Sequence, residues 1–369
     1  MGLTSLRPGR GVRVTVPVRV ADVGGWTDTW FGSPGAVCSL AVGPGVQVSA
    51  WLVERTGDDL PVRLVAPALG LDERTGPGEG SDWSRPVPGD HPLLEHAVAF
   101  ALEPWGSPDG IGLDVEITSA VPPGASLGTS ASVVVALLAA LDELLGGDLI
   151  VRHADLAQAA HEVETARAGR EAGVQDQWAA AFGGASLLSV GPYPDVRRRA
   201  VQLDQPIVDQ LDARLVTVVF GAHDSSAVHH EVINALTGCG GPEHDRARGA
   251  LRRLAALAGE AASALAAGDL ARWADVLLAA TDAQGQLHPA LVGPAHRAAI
   301  DIGRSLGAVG WKVNGAGGDG GSLTLLAGDG DAGGGAAELA ATLRAHDPTW
   351  VVPTLRVSRG PVGWEALVR

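Results

Sequence analysis

Residues 122–132 (PPGASLGTSAS) have the composition of a loop that binds a phosphate group. The proline–glycine turn leads into an apolar run, which predicts a helix that begins near Thr129 or Ser130 and ends at Gly146-Gly147. The first turn of such a helix presents free backbone N–H groups and the positive end of the helix dipole, and both favour an anion. The nearby hydroxyls, including that of Ser132, can add hydrogen bonds or a magnesium ligand. The segment lacks the Gly-Lys-Ser/Thr of a Walker A loop, and by composition alone an ordinary capped helix after a turn is an equal alternative.

Two further polar segments could meet this loop. Residues 312–321 (KVNGAGGDGG) lie between two apolar runs that favour strands, and their glycines permit a close approach to a ligand or another loop. A flexible hairpin turn is the alternative, although such a turn needs only about two to five residues. The other segment consists of Arg19 and the cluster at 24–29 (GGWTDT), which by itself indicates only a turn that carries polar groups.

The composition excludes several classes of protein. The chain has 369 residues and a net charge of −15, which argues against nucleic acid as the main partner because phosphate-backbone binding needs a basic face. Lys312 is the only lysine, and the two cysteines, Cys38 and Cys239, lack the spacing of a metal site. The chain shows no signal-peptide pattern and no apolar run of about 18 residues, so we expect a cytoplasmic protein.

The apolar periodicity predicts a mixed helix and strand architecture in two domains, residues 1–205 and 206–369, with the boundary near 200–212. A cluster of Pro, Gly, Asp and Ser at 66–92 predicts a long exposed loop or hairpin. The predicted strands are 12–20, two within 35–54 around a Gly-Pro-Gly turn, 111–118, 185–190, 214–220, two within 310–327, and 350–358. The other predicted helices are 92–103, 154–168, 175–182, an Ala-rich helical stretch at 240–283, 293–306 and 334–345.

Taken in their order along the chain, the three segments resemble the signatures of the GHMP kinases, the superfamily of galactokinase, homoserine kinase, mevalonate kinase and phosphomevalonate kinase. PPGASLGTSAS is similar to the PPGxGLGSSSA phosphate loop of that family, and KVNGAGGDGGS resembles its KLxGAGGGG segment. RVADVGGWTDT resembles the RVDxxGGWSDT of L-fucose kinases and, less closely, the GGGTD of D-glycero-D-manno-heptose 7-phosphate kinases. The resemblance implies an α+β, two-domain GHMP kinase fold, with an N-terminal ribosomal-protein-S5-like α/β domain that binds ATP and sugar and a C-terminal ferredoxin-like α+β domain.

The resemblance also implies where ATP and Mg²⁺ would bind. The ATP-binding residues would be Pro123, Gly124, Ala125, Ser126, Leu127, Gly128, Thr129, Ser130, Gly315 and Gly317. Ser130 would also bind Mg²⁺, together with a glutamate that the sugar kinases place twelve residues before the catalytic aspartate, here Glu164. Helical periodicity agrees, because Glu164 borders the inward-facing stripe of the helix at 154–168 whereas Glu162 points to solvent.

Catalytic and substrate residues follow from the same resemblance. Asp176, in GVQDQW, matches the GxxDQ aspartate that takes the proton of the attacking sugar hydroxyl, and Arg19 would stand beside it and offset the charge of the transferring phosphoryl group. Asp28 would accept hydrogen bonds from two sugar hydroxyls. The sugar site would be completed by Trp26, Thr27 and Gly173. The structural alternatives are that Asp176 is only an acid at a helix N-terminus and that Trp26 fills the core.

Three features of these segments leave questions open. The run at 223–226 with His229-His230 suggests a metal site, but a loop that caps the next helix fits better, and a contact with substrate is a further option. Ser126 stands where the family usually has glycine, so the first turn of the loop could be tighter or shifted. Asp319 interrupts the glycines of the third segment, which is unfavourable beside a triphosphate unless it points outward or meets Mg²⁺.

We therefore expect an ATP- and Mg²⁺-dependent phosphotransferase that phosphorylates an alcohol group of a sugar or sugar phosphate, with the anomeric C1-OH as acceptor and Asp176 as general base. The alternatives are a heptose 7-phosphate kinase that makes a 1,7-bisphosphate and a non-catalytic sugar sensor on the same fold. A neutral sugar is favoured because no positioned pair of arginines is evident for a substrate phosphate. A dinucleotide-dependent oxidoreductase would need GxGxxG after the first strand, which is missing. We expect a monomer or homodimer without nucleic-acid or membrane partners.

Overall fold

Strand β1 (Arg10–Val23) carries Arg19, leads into the cluster at 24–29 and extends the strand predicted at 12–20. The computed structural model describes residues 7–55, 60–79, 82–106, 110–221, 226–329 and 335–369. In these ranges the strands form one nine-stranded and one three-stranded sheet. The remaining strands are β2 (Gly35–Glu54), β3 (Val62–Ala66), β4 (Leu71–Thr75), β5 (Ile111–Ser119), β6 (Ala185–Val190), β7 (Val196–Val201), β8 (Leu215–Gly221), β9 (Ala308–Val313), β10 (Gly321–Ala327), β11 (Arg356–Val357) and β12 (Gly363–Val368).

The helices cover the sheets. They are α1 (Pro92–Leu102), α2 (Thr129–Leu145), α3 (His153–Glu162), α4 (Gln175–Phe182), α5 (Gln205–Arg214), α6 (Ser226–Thr237), α7 (Pro242–Ala266), α8 (Leu270–Leu287), α9 (Pro294–Ser305) and α10 (Gly335–His346). A π-helical turn at Val163–Arg167 continues α3. Within the described ranges, none of the helices combines the length and the apolar character that a membrane crossing requires.

The prediction of two strands within 35–54 was wrong, because β2 is a single strand. The Gly-Pro-Gly segment at 43–45 bends the strand instead of reversing it. A side chain at Gly45 would meet the carbonyl oxygen of Val16 at 2.3 Å, so the glycine allows the backbones of β1 and β2 to approach closely there. The two halves of β2 have different partners: the first half pairs with β6 and the second half with β5.

The large sheet has the strand order β12-β1-β2-β5-β3-β4, with β6, β7 and β11 joined through β2. Its pairs are antiparallel except for β3 and β5, which run parallel. Helix α2 packs against β1 and β2 and is flanked by α1, α3 and α4. Its central run from Val134 to Leu141 is completely buried, which explains why this helix is apolar on all sides. The phosphate-loop sequence therefore leads into a helix that is fixed in the core.

The small sheet has the order β8-β10-β9, and α9 and α10 pack against it. Helices α7 and α8 lie between the sheets, since α7 contacts β2 and α8 contacts β9, and a shared apolar core joins them to β1 and β2. The last strand, β12, pairs with β1, so the large sheet takes strands from both sides of residue 205. The division into residues 1–205 and 206–369 stays a prediction.

The sequence missed or misplaced several elements near residue 205 and after residue 350. Only Arg356–Val357 forms a strand within the predicted strand 350–358, because Pro353 lacks an N–H group and Val351 makes an isolated bridge to Val219. Strands β7 and β12 and helix α5 were not predicted. The hairpin of β3 and β4 starts before the predicted loop at 66–92, which is otherwise irregular up to α1.

Candidate active site

The geometry of the site is set by a salt bridge between β1 and α4. Arg19 Nε donates to Asp176 Oδ1 at 2.8 Å, and Arg19 Nη2 donates to Asp176 Oδ2 at 3.3 Å, a bidentate arrangement. Arg19 is only 4% exposed and also donates to the carbonyl oxygen of Ser126. Burial opposes its charge, but the neighbouring carboxylates of Asp176 and Asp22 outweigh this, so the pKa of Arg19 lies above its usual value. Arg19 is therefore a fixed cation between the loop and the acid.

The phosphate-loop residues form a turn of left-handed backbone before α2. Gly124 and Gly128 have φ values of 75° and 73°, and Ser126, at a position where the similar GHMP kinase segment usually has glycine, has a φ of 56°. Ser126 thus keeps the conformation that glycine favours, at a cost of about 1–2 kcal/mol. A side chain at Gly128 would come within 3.0 Å of Asp176 Cγ. The acid consequently lies directly against the start of α2.

The other residues of the loop have distinct environments. Ala125 and Leu127 are buried, so they can offer a ligand only backbone groups, whereas Pro123, Gly124 and Ser130 are exposed. The Ser132 hydroxyl donates to the Pro17 carbonyl oxygen at 2.8 Å and is part of the support of the loop. Among the described residues, the buried hydroxyl of Thr129 has no hydrogen-bond partner. A ligand at this loop would therefore meet Thr129 and Ser130, but not Ser132.

Glu164 and Glu162 differ in exposure as the helical periodicity predicts. The π-helical turn carries Glu164 into the interior, where it is 4% exposed, whereas the Glu162 side chain is 51% exposed and pairs with Arg167 at 3.8 Å. Burial, and then the nearby charge of Asp176, raise the pKa of Glu164 to about 7. The widened turn was not predictable from a regular 3.6-residue period, but the side on which Glu164 lies was.

A polar cavity of about 190 Å³ lies between β1, α4 and the loop before α4. Both Ser130 and Glu164 line this polar cavity, as do Arg19, Asp28 and Asp176. The predicted catalytic pair, both predicted metal ligands and three of the four predicted sugar-binding residues (Trp26, Asp28 and Gly173) line it. These residues are far apart in the sequence, and β1, α2, the π-helical turn and α4 bring them together.

Asp28 is held in place by the chain that precedes Asp176. The backbone N–H of Gln175 donates to Asp28 Oδ2 at 3.0 Å, and a side chain at Gly173 would collide with that oxygen at 2.1 Å. Gly173 therefore gives the carboxylate its space. Burial raises the pKa of Asp28 to about 6, although the hydrogen bond from Gln175 opposes the shift.

Trp26 and Thr27 differ in whether they line the polar cavity. The Thr27 hydroxyl donates to the carbonyl oxygen of Gly24 at 2.7 Å and accepts from the N–H of Ala36 at 3.0 Å, so it fixes the turn and does not line the polar cavity. Trp26 lines the cavity and has a φ of 76°, which is unusual for a bulky residue and occurs mostly at functional sites.

Three buried polar atoms around the polar cavity have no hydrogen-bond partner among the described residues: Trp26 Nε1, Gln175 Oε1 and His229 Nε2. Buried polar groups are normally paired, so these three could bind hydroxyl groups of a ligand. His229 lies 5.0 Å from Trp26, ring centroid to centroid, and burial lowers its pKa. The described residues contain no group of three metal-ligating side chains, which gives no support to a histidine metal site. His223, Asp224 and Ser225 lie outside the described residues.

The third glycine-rich segment joins β1 to the phosphate loop. The Gly315 N–H donates to both carboxylate oxygens of Asp22, at 3.0 and 3.1 Å, and a side chain at Gly315 would meet the Ser126 carbonyl oxygen at 2.9 Å. Gly315 also lines the polar cavity, whereas Gly317 packs against the Leu291 carbonyl oxygen, where a side chain would approach to 2.2 Å. Asp319 is exposed and does not line the polar cavity. The charge of Asp319 is accordingly directed outward.

Lys312 supports this segment from inside. Its ammonium group is completely buried and donates to Gln284 Oε1 at 2.6 Å and to the Val313 carbonyl oxygen. The amide nitrogen of Gln284 in turn donates to the Gly315 carbonyl oxygen at 3.1 Å. Burial lowers the pKa of Lys312 to about 8. Sequence reasoning singled out Lys312 but missed Asp22, Gln175 and Gln284, although Asp22 and Gln175 lie inside segments that were already marked.

An apolar cavity of about 350 Å³ lies on the other side of the phosphate loop. Its walls include Leu69, Leu94 and Val133, and its polar rim includes Thr129 and Ser130. Ser130 lines this apolar cavity and the polar cavity alike, so the two cavities meet at the start of α2.

The fit of a magnesium ion can be judged from these groups. Mg²⁺ in proteins usually has one or two carboxylate ligands and completes its shell with water and substrate phosphates. Glu164 and Ser130 supply one carboxylate and one hydroxyl at the same cavity. They fit a Mg²⁺ ion that shares its ligands with a bound triphosphate, and the described residues offer no fully enclosed metal site.

Comparison with known proteins finds similarity in part of the sequence and in nearly the whole fold. Residues 93–184 match the family model of the GHMP kinases N terminal domain. A mevalonate kinase from Pyrococcus horikoshii is 37% identical over 100 residues, which span 27% of this chain and 28% of that kinase. A D-glycero-D-manno-heptose 1-phosphate kinase from B. thetaiotaomicron has a TM-score of 0.69 at 19% identity, with 96% of this chain and 98% of that chain covered. The L. major mevalonate kinase in complex with R-mevalonate has a TM-score of 0.69 at 18% identity, with 96% and 99% covered.

The chain has the GHMP kinase fold, a mixed α/β structure with two sheets, and its residues 93–184 match the N terminal domain model of that family. Its matched segment spans little more than a quarter of the curated relative's length. A sugar kinase and a mevalonate kinase resemble it equally in structure, so the fold does not separate these branches.

Proposed function

We propose that this protein is an ATP- and Mg²⁺-dependent kinase that transfers the γ-phosphoryl group to a hydroxyl of a neutral sugar. One observation carries the proposal: the Asp176 carboxylate, fixed by Arg19, lies against Gly128 at the start of α2. A base for an attacking hydroxyl therefore adjoins the backbone N–H groups where a phosphate would bind. In-line phosphoryl transfer needs this proximity more than any covalent chemistry of the protein.

The two cavities on either side of the loop would bind the two substrates separately. The apolar cavity has the walls that suit a nucleobase, and Thr129 and Ser130 belong to its polar rim. The polar cavity beyond Ser130 would hold the acceptor beside Asp176 and Asp28. A triphosphate that passes Ser130 would thus reach from the apolar cavity to the polar cavity.

The transfer follows from these positions. Asp176 orients the sugar hydroxyl and accepts its proton as the hydroxyl oxygen bonds to the γ-phosphorus and the bond to the β–γ bridging oxygen breaks. Arg19 stabilises the charge of Asp176 and of the transferring group. When bound, Mg²⁺ would neutralise phosphate charge, with Glu164 and Ser130 as its protein ligands. We propose the anomeric hydroxyl as the acceptor because it is the most acidic hydroxyl of a sugar.

The charges around the polar cavity favour a neutral acceptor over mevalonate or a sugar phosphate. Among the described lining residues, Arg19 is the only arginine or lysine, and it is already engaged by Asp176 and by the Ser126 carbonyl oxygen. An acceptor carboxylate or phosphate would face Asp28 and Glu171 without a free cation. Hydroxyl groups, by contrast, can pair with Asp28, Gln175 and Trp26.

The experiment is a transfer assay with ATP and a panel of free sugars, sugar phosphates and mevalonate. We expect product only with a neutral sugar, and the Asp176→Asn variant should lose about 10²–10⁴-fold in kcat while ATP still binds. Asp155→Asn, an exposed carboxylate on α3, is the matched control and should retain activity. Sugar binding without transfer to any acceptor would support a sensor instead, and turnover of mevalonate would move the protein to the other branch.

A further inference from the structure

A groove of about 800 Å³ lies near the site and has no part in the proposed transfer. We call it the aromatic groove, because Trp30, Trp178 and Tyr193 lie along it. It adjoins the polar cavity, since Glu171 and Ala172 line both. A molecule in the polar cavity could therefore extend into the aromatic groove past residues 171–172.

Trp30 and Tyr193 line the aromatic groove, and hydrogen bonds hold both side chains. Trp30 is 50% exposed, yet its indole N–H donates to Glu171 Oε2 at 2.6 Å. The Tyr193 hydroxyl donates to the Ala172 carbonyl oxygen at 3.1 Å and therefore accepts from His161 Nε2 at 2.8 Å. Both rings are thus anchored to the two residues that separate the aromatic groove from the polar cavity. A fixed, exposed aromatic ring loses little conformational entropy when a ligand stacks on it.

The charge of the aromatic groove limits what can stack there. Its ionisable lining consists of the acids Glu162, Glu171 and Asp195, with Arg170 as the basic residue and His161 held by Tyr193. A phosphate or carboxylate would meet more negative than positive charge. Gln158 and Thr165 add neutral hydrogen-bonding groups. Aromatic faces together with neutral and acidic acceptors suit the C–H faces and hydroxyls of an uncharged sugar.

We propose that the aromatic groove binds a second, uncharged glycosyl unit, so that the preferred acceptor is a reducing disaccharide or longer glycan. This inference rests on the proposed function. The reducing sugar would occupy the polar cavity with its anomeric hydroxyl at Asp176, and the unit attached through another of its hydroxyls would stack on Trp30 and Tyr193. The product is the glycan 1-phosphate, and the proton leaves through Asp176.

The test compares kcat/KM for monosaccharides and for reducing disaccharides that end in the same sugar, such as glucose with maltose, cellobiose and lactose, and the corresponding galactose and mannose pairs. We expect at least one disaccharide to exceed its monosaccharide. Trp30→Ala should reduce the ratio of disaccharide to monosaccharide kcat/KM by about tenfold, and Trp30→Phe, which keeps an aromatic ring, should reduce it less. Trp364→Ala is the matched control, because Trp364 is 47% exposed on β12 and should leave the ratio unchanged.

Each outcome separates the two proposals. Transfer to monosaccharides with no gain for any disaccharide, or an unchanged ratio in a folded Trp30→Ala variant, overturns the role of the groove and leaves the proposed function intact. Transfer to no sugar in the panel overturns both. A thermal melt of each variant verifies folding. If Trp30→Ala does not fold, the ratio of disaccharide to monosaccharide kcat/KM is measured instead for Tyr193→Phe, which keeps its ring but loses the bond to Ala172 and should also reduce the ratio.

Discussion

Asp28 is the residue at which pH should control binding of the proposed sugar acceptor. Its pKa is raised to about 6 by burial, so the carboxylate is ionised above that pH and becomes protonated as the pH falls through it. The protonated form loses an acceptor for sugar hydroxyls. We expect the Kd of the sugar, measured without ATP, to rise about tenfold per pH unit below about pH 6.

Asp28→Asn is the control for this titration. The amide oxygen can still accept from the Gln175 N–H, but the side chain does not ionise. Its affinity should be lower and independent of pH between about pH 5 and pH 7. A wild-type Kd that stays constant over the same range would remove Asp28 from the sugar site.

At the scale of residues, the sequence predicted which side chains share the site better than it predicted their contacts. The resemblance implied that Arg19, Asp176 and Glu164 lie at one site, and the structure has all three lining the polar cavity. They could not identify His229 as a neighbour of Trp26, because α6 reaches this cavity only through tertiary packing. Thr27 was predicted to contact sugar, but its hydroxyl is used within the turn. Whether these residues act as proposed stays a prediction.

Among the elements, the link between β9 and α8 depends on Lys312. The ammonium is buried and bonds to Gln284, and we expect a larger guanidinium group to overpack this site, so Lys312→Arg should lower the free energy of unfolding by about 1–3 kcal/mol. Urea denaturation at pH 7 measures the loss. Unchanged stability and kinetics would mean that the single lysine reflects codon usage.

The same lysine should make stability depend on pH. Its pKa of about 8 in the folded state lies below the ordinary value of 10.5, so the unfolded chain binds more protons between these values. The free energy of unfolding, relative to Lys312→Met, should therefore rise with pH from about 8 to about 10 and stay constant below that window. Asp22 opposes the shift and Arg19 adds to it, so Asp22→Asn should enlarge the effect. If the difference in the free energy of unfolding between the wild type and Lys312→Met did not change with pH, the lowered pKa of Lys312 would be contradicted.

The helices and strands were predictable where the local periodicity of apolar residues determines their bounds. Helix α4 and strand β6 coincide with the predictions at 175–182 and 185–190. The prediction failed where distant strands decide, as in β2, whose bend depends on the backbone of β1, and in β12, whose exposed residues give little alternation. Nothing in the local pattern of 154–168 indicates a π-helical turn after Glu162.

On the scale of the whole molecule, β1 is held between strands from both ends of the described chain. Backbone pairing with β12 covers the outer edge of β1 from Arg10 to Thr15. Deletion of residues 363–369 should reduce the free energy of unfolding by on the order of 2–5 kcal/mol, because several hydrogen bonds of β1 are lost. Glu365→Ala, which removes only the exposed ion pair with Arg13, should cost less than about 1 kcal/mol. Equal losses in urea denaturation would show that the ion pair, and not the strand, stabilises β1.

The pairing of β1 with β12 also bears on how the protein is made. During synthesis β1 leaves the ribosome before every other described strand, and β12 leaves after them. The outer edge of the strand that carries Arg19 and Asp22 therefore stays open until translation of β12 is complete. Exposed strand edges are prone to pair with other chains. Slow translation or crowded polysomes should accordingly favour misassembly at β1, and a holding chaperone would act on this edge before β12 is made.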